Sequence, residues 1–207
     1  MEVLLDVVRD KATAALIGPA GSGKTTIIRA LLQHLGSDRS VVLCPTHKAR
    51  VVVSAGLPDA RTAAVAATLR LMPAIDGDSG QIAFKASKAM PDASGFLKNG
   101  RPPAALILDE ASMVEGSNVY ALESFAGRLG ASLLLVGDDA QLPPVSAAAK
   151  GVSTTQAMVR QFISNDRTAR LETVMRTGAG PVLQLSQAIS ATRISGRMVD
   201  GIPTLRD

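Results

Sequence analysis

The chain's 207 residues, 46% hydrophobic and 19% charged with a net charge of +4, suit one sizeable domain and exclude a disordered polymer. Its single cysteine cannot close an internal bridge, His34 and His47 make no metal-site spacing with it, and aliphatic runs stop at five residues, too short to cross a membrane. Glu2, Asp6 and Asp10 interrupt the N-terminal apolar positions, unlike a secretory signal, so a soluble cytoplasmic domain without a membrane partner is expected.

In chain order, Met1–Lys11 reads as a short amphipathic helix with Leu4, Val7 and Val8 on one face. Apolar runs of strand length follow at Thr13–Ile17, Val41–Cys44, Ala104–Leu108 and Ser132–Val136. They are continuous rather than alternating, the pattern of parallel strands buried on both faces. Helix-like stretches at Lys24–Leu35, His47–Ala55 and Glu115–Leu129 lie between them, so an α/β doubly wound domain is expected. Residues 73–103 break the alternation with Pro73, Gly77, Gly80, Pro91, Gly95, Gly100, Pro102 and Pro103. An insertion of that length marks a functional or mobile segment, and Gln81–Lys85 suits one strand of a small hairpin. Charge is uneven: residues 37–105 hold nine Lys/Arg against five Asp/Glu, whereas 106–150 hold two against six. A basic segment beside an acidic one suits a protein that meets a polyanion on one surface and a metal ion on another.

Gly18-Pro19-Ala20-Gly21-Ser22-Gly23-Lys24-Thr25-Thr26 contains the full P-loop pattern, between a strand and a helix as that pattern requires. The glycines let backbone N–H groups wrap phosphates, and the helix N-terminus adds partial positive charge. Lys24 is expected to reach the β- and γ-phosphates and the Thr25 hydroxyl to bind Mg²⁺. The strand Leu106–Leu108 ends in Asp109 and Glu110. Asp109 suits Mg²⁺ binding, and Glu110 suits polarising a water for attack on the γ-phosphate. That second carboxylate argues for hydrolysis over transfer to a small molecule. A further strand runs into Gly137-Asp138-Asp139-Ala140-Gln141-Leu142-Pro143-Pro144, where Gln141 is placed to sense the γ-phosphate.

Together these blocks resemble the first motor domain of superfamily 1 DNA helicases, within the 5′→3′ branch of RecD, Dda and the conjugative relaxases. The resemblance runs from Leu16 to about Ile189 through GPAGSGKTT (18–26), CPTHKAR (44–50), LILDEASMV (106–114), LVGDDAQLPPV (135–145) and LETVMRT (171–177). It implies a RecA-like P-loop NTPase fold with helices on both faces of a parallel sheet, occupying 1–207 with a pin-like insertion at 73–103. It also implies ATP and Mg²⁺ as cofactors, and catalytic roles for Lys24, Glu110, Gln141 and the arginine finger Arg176. Pro45, Thr46, His47 and Lys48 are implied contacts to single-stranded DNA. The next DNA motif of the family, Thr-Ile-His-Ser, is here Thr68-Leu69-Arg70-Leu71, so only Thr68 carries over and Arg70 stands in for the histidine by charge. In the pin segment Phe84 is the first stacking candidate and Phe96 the second.

Two features depart from the family. No glutamine precedes Gln33, so nothing here implies adenine selectivity. Such motors also close ATP between two RecA-like domains, and a second one is expected to be missing, leaving the chain weakly active alone. Two alternatives also fit a P-loop: a small-molecule or nucleotide kinase, and a nucleotide- and DNA-binding module without turnover.

Overall fold

The computed structural model describes residues 2–75, 80, 82–87, 91–138 and 167–173. Within them the apolar runs become neighbours in one six-stranded sheet of order β3-β2-β6-β7-β1-β8. Its strands are β1 (Thr13–Ile17), β2 (Ser40–Cys44), β3 (Arg61–Ala64), β6 (Ala105–Leu108), β7 (Ser132–Gly137) and β8 (Thr168–Arg170). All of these pairings are parallel, so every C-terminal strand end lies along one edge.

The period-two alternation of a strand splits each run between two cores. Ala15, Ile17, Val41, Leu43, Leu106, Leu108, Leu133 and Leu135 face the side covered by α4 (Val65–Leu69) and α5 (Gly116–Leu129). Ala14, Leu16, Val42, Cys44, Ala105, Ile107, Leu134 and Val136 face α1 (Glu2–Arg9), α2 (Lys24–Leu35) and α3 (His47–Gly56). Leu4 and Val7 of α1 and Ile28, Leu31 and Leu32 of α2 close that second layer. This is the RecA-like arrangement expected for a P-loop NTPase.

The four strands and three long helices read from the sequence fall within a residue of their observed ends. Strands β3 and β8 stand outside the apolar runs of the sequence. Among the described residues each pairs on one side only, so it can carry Arg61, Thr62, Thr168 and Arg170 in place of a continuous apolar run.

The 73–103 segment departs from the sheet as a hairpin of β4 (Met72–Ile75) and β5 (Ile82–Lys85), paired antiparallel from Met72↔Lys85 to Ile75↔Ile82. Gln81, expected to open the second strand, lies outside the described residues. Arg61 fastens the return of the chain, donating to the carbonyls of Asp38, Gly95 and Phe96.

Candidate nucleotide and DNA site

Three stretches leave the same sheet edge: the P-loop after β1, Asp109-Glu110 after β6, and Pro45–Lys48 after β2. In the P-loop, Gly21 and Gly23 sit at φ 77° and 94°, left-handed backbone that glycine adopts without steric cost. Gly23 caps α2 with no side chain bonded to the first-turn amides, which leaves that helix start suited to an anion. Gly18 is tight for another reason. A Cβ there would lie 2.9 Å from both the Cβ and the carbonyl oxygen of Leu171, the residue after β8.

Lys24 Nζ donates to the carbonyls of Gly18 at 2.6 Å and Pro19 at 2.9 Å, so the loop's own backbone holds the ammonium in place of a phosphate. Thr25 and Thr26 are exposed at the head of α2; Pro19 and Gly21 are half-buried, Ala20 is exposed and Ser22 is buried.

Asp109 is mostly buried, and burial raises its carboxyl pKa. The Glu110 N–H, which donates to Oδ1 at 3.0 Å, and the charge of Lys24 only partly oppose that rise. A desolvated carboxylate within reach of the Lys24 charge, with the Thr25 hydroxyl next to Lys24 in the chain, supplies oxygen donors of the kind that fit Mg²⁺, whose charge would stabilise the ionised form. Beside it, the Cys44 thiol is pushed up to about 11, first by burial and then by the Asp109 charge, with Arg50 opposing. Cys44 is therefore a buried strand residue, as expected. Glu110 has φ 51°, a left-handed geometry rare for glutamate, and it turns the chain sharply into the short helix 111–113.

On the DNA side, Thr46 Oγ1 accepts the Ala49 N–H at 3.1 Å, capping α3, while His47 and Lys48 are exposed in the first turn and Pro45 is half-buried. The Asp109 N–H donates to the Leu43 carbonyl at 2.9 Å, so the carboxylate strand and the strand leading to Pro45–Lys48 are joined at this edge. Arg70 is exposed at φ 49°. Phe84 is 55% exposed on β5.

Two expectations are corrected. Thr68 is only 6% exposed and its hydroxyl donates to the Ala64 carbonyl at 3.0 Å, so it closes a turn of α4 rather than facing a ligand. Phe96 packs edge-on against Phe125, centroids 5.0 Å apart, and belongs to the core. Gln141 and Arg176 lie outside the described residues.

Sequence reasoning missed Leu171, which closes on Gly18, and Asn118, whose side chain reaches the hairpin 34 positions away. Asn118 follows the carboxylates closely enough to have drawn notice as a polar residue on the inward face of α5.

A family model described as "AAA domain" matches residues 2–202. The ATP-dependent DNA helicase Pif1 of Bdellovibrio bacteriovorus is 29% identical over 150 residues, covering 69% of this chain and 31% of that protein. An uncharacterised protein of Methanocaldococcus jannaschii is 27% identical over 197 residues, 90% of this chain and 16% of that one. Among solved structures, Bacteroides Pif1 bound to single-stranded DNA matches with a TM-score of 0.54 at 19% identity, over 91% of this chain and 46% of that one. Pif1 helicase from Candida albicans matches with a TM-score of 0.53 at 20% identity, over 91% and 43%. The chain thus spans less than half the length of these relatives. By its family match and its sheet, the chain belongs to the AAA-domain family of P-loop proteins, with the RecA-like fold also found in Pif1 helicases.

Proposed function

We propose that this chain is the ATP-binding and ATP-hydrolysing first motor domain of a 5′→3′ DNA helicase, acting on single-stranded DNA together with a second RecA-like domain. The observation that carries the reading is the bond between Asp109 N–H and the Leu43 carbonyl. It joins the strand that ends at the nucleotide carboxylates to the strand that ends at the exposed Thr46–Lys48 helix start, so ATP and DNA chemistry share one edge.

In this mechanism Lys24 exchanges the Gly18 and Pro19 carbonyls for phosphate oxygens, and the amides of Gly21–Thr25 wrap the phosphate chain. Thr25 and Asp109 would hold Mg²⁺, which when bound neutralises charge on the phosphates. Glu110 takes the proton of the attacking water, and Gln141 senses the γ-phosphate. Arg176 and an arginine from the second domain stabilise the charge that develops in the transition state; such arginines are typically worth about 10³–10⁵ in rate. His47 and Lys48 bind DNA phosphates, and the hairpin meets the junction through Phe84. Glu110 directly after Asp109 favours hydrolysis over a small-molecule kinase.

The test is a titration with single-stranded DNA at increasing salt, comparing wild type with the His47→Ala, Lys48→Ala double variant. Phosphate neutralisation releases counterions, so wild-type affinity should fall with salt and the double variant should bind more weakly with a shallower slope. An identical affinity and slope in both proteins would sink the DNA surface. Strand displacement on a 5′-tailed duplex, with the second motor domain present, tests the helicase reading.

A further inference from the structure

The two-stranded hairpin carries an apolar face that is exposed among the described residues. Pro73 lies opposite Phe84 and Ile75 opposite Ile82, so these four share one face. Ile75 is 74% exposed and Ile82 71%. A hairpin of two short strands is marginally stable alone, so its direction depends on what holds its base. Proline has no N–H, so Pro73 can offer the Phe84 carbonyl no bond. The donor comes from elsewhere: Asn118 Nδ2, on the first turns of α5, reaches that carbonyl at 3.0 Å.

Asn118 is only 4% exposed, and among the described residues its Oδ1 has no hydrogen-bond partner. A buried amide with one half unpaired costs stability, so packing does not account for it. Its location supplies another account. Asp109 and Glu110 lead through the short helix 111–113 and two extended residues, Val114 and Glu115, into α5, so Asn118 stands in the first turn of the helix that follows the nucleotide carboxylates. Phe125, two turns further along the same helix, holds Phe96 at the far end of the insertion.

We propose that Asn118 is a positioning residue: through the Phe84 carbonyl it sets the direction of the hairpin relative to the nucleotide carboxylates, and so where Phe84 meets the end of a duplex. The inference rests on the proposed function, because it presumes that Phe84 touches DNA at a junction. The partner is the first base pair of a forked DNA, recognised by the flat apolar face of the ring.

The experiment places 2-aminopurine at the first paired position of a 5′-tailed fork and records its fluorescence with the chain and a non-hydrolysable ATP analogue. Four proteins are compared: wild type, Phe84→Ala, Asn118→Leu and the double variant. Leucine keeps asparagine's branched four-atom outline with bulkier ends and removes both the donor and the unpaired acceptor, so the relief of that acceptor offsets the added bulk and thermal stability should hold. The junction signal should nevertheless fall about fivefold, the population change expected for one lost buried hydrogen bond. It should fall no further in the double variant than in Phe84→Ala, while Asn118→Leu keeps the wild-type affinity for unforked single strands. A merely structural asparagine would instead leave the junction signal intact, or would lower it together with stability and single-strand affinity. A normal signal in Asn118→Leu with a reduced one in Phe84→Ala overturns the inference and spares the pin. A normal signal in Phe84→Ala overturns the pin reading itself. If the leucine variant does not fold, Asn118→Ser, one atom too short to span the bond, is read by the same criteria.

Discussion

Replacing Lys24 with alanine separates two effects that the geometry ties to one atom. Without nucleotide, Nζ holds the Gly18 and Pro19 carbonyls at 2.6 and 2.9 Å. Charge-assisted bonds contribute about 1.5–3 kcal/mol when buried, but this site is partly open and the freed carbonyls regain water, so about 1 kcal/mol is lost in all. For a chain of this size that lowers Tm by about 2–4 °C. With Mg-ATP the effect is larger. Ligand at 100 times Kd stabilises the wild type by about 2.7 kcal/mol, a rise of roughly 5–11 °C. Lys24→Ala should show almost none of that rise, because the cation that meets the phosphates is gone. Differential scanning calorimetry of both proteins, with and without Mg-ATP, reads both numbers. A variant that keeps the full ATP-dependent rise refutes the phosphate role, whatever its Tm without nucleotide.

Leu122→Ala, at a fully buried position on the sheet-facing side of α5, should cost about 2–5 kcal/mol in chemical denaturation, whereas Val51→Ala on the exposed face of α3 should stay within about 0.5 kcal/mol. Asp109 has its pKa raised in the folded chain, so its contribution to stability is complete below the unfolded value of about 3.9 and is lost as pH rises through the folded value. Asp109→Asn should therefore raise Tm at pH 7 in the absence of Mg-nucleotide and leave it unchanged at pH 3; an equal gain at both values would point to packing instead. Cys44, fully buried with its thiol pushed up to about 11, should resist a thiol reagent at pH 8 until denaturant is added, as absorbance at the reagent's leaving group will report.

The central strands were legible because burial on both faces demands unbroken apolar runs such as Leu106-Ile107-Leu108. The P-loop was legible because backbone at φ 77° and 94° demands glycine at Gly21 and Gly23. Strand β8 was not, because three residues such as Thr168-Ala169-Arg170 form no apolar run long enough to stand out. Thr68 shows a different limit. Motif matching aligned it with a DNA contact, but a hydroxyl inside a short helix finds the carbonyl four residues back. The bond from Asn118 to Phe84 links two segments through one amide and one carbonyl, and no periodicity in a linear sequence encodes that pairing.

Strand β1 has a further consequence, for synthesis rather than for catalysis. It is made before the other strands of its sheet, yet Thr13 pairs with Leu133 and Ala15 with Thr168. At a translation rate of about 5–20 residues per second, its neighbour β7 emerges roughly 6–24 s later, and β8 later still. Throughout that interval Ala14-Ala15-Leu16-Ile17 is an unpaired apolar strand with the glycine loop already behind it. Order in the chain and order in the sheet are thus opposed: the phosphate site waits on late, distant pairings, a topology that folds slowly and leaves the nascent chain in need of protection from aggregation.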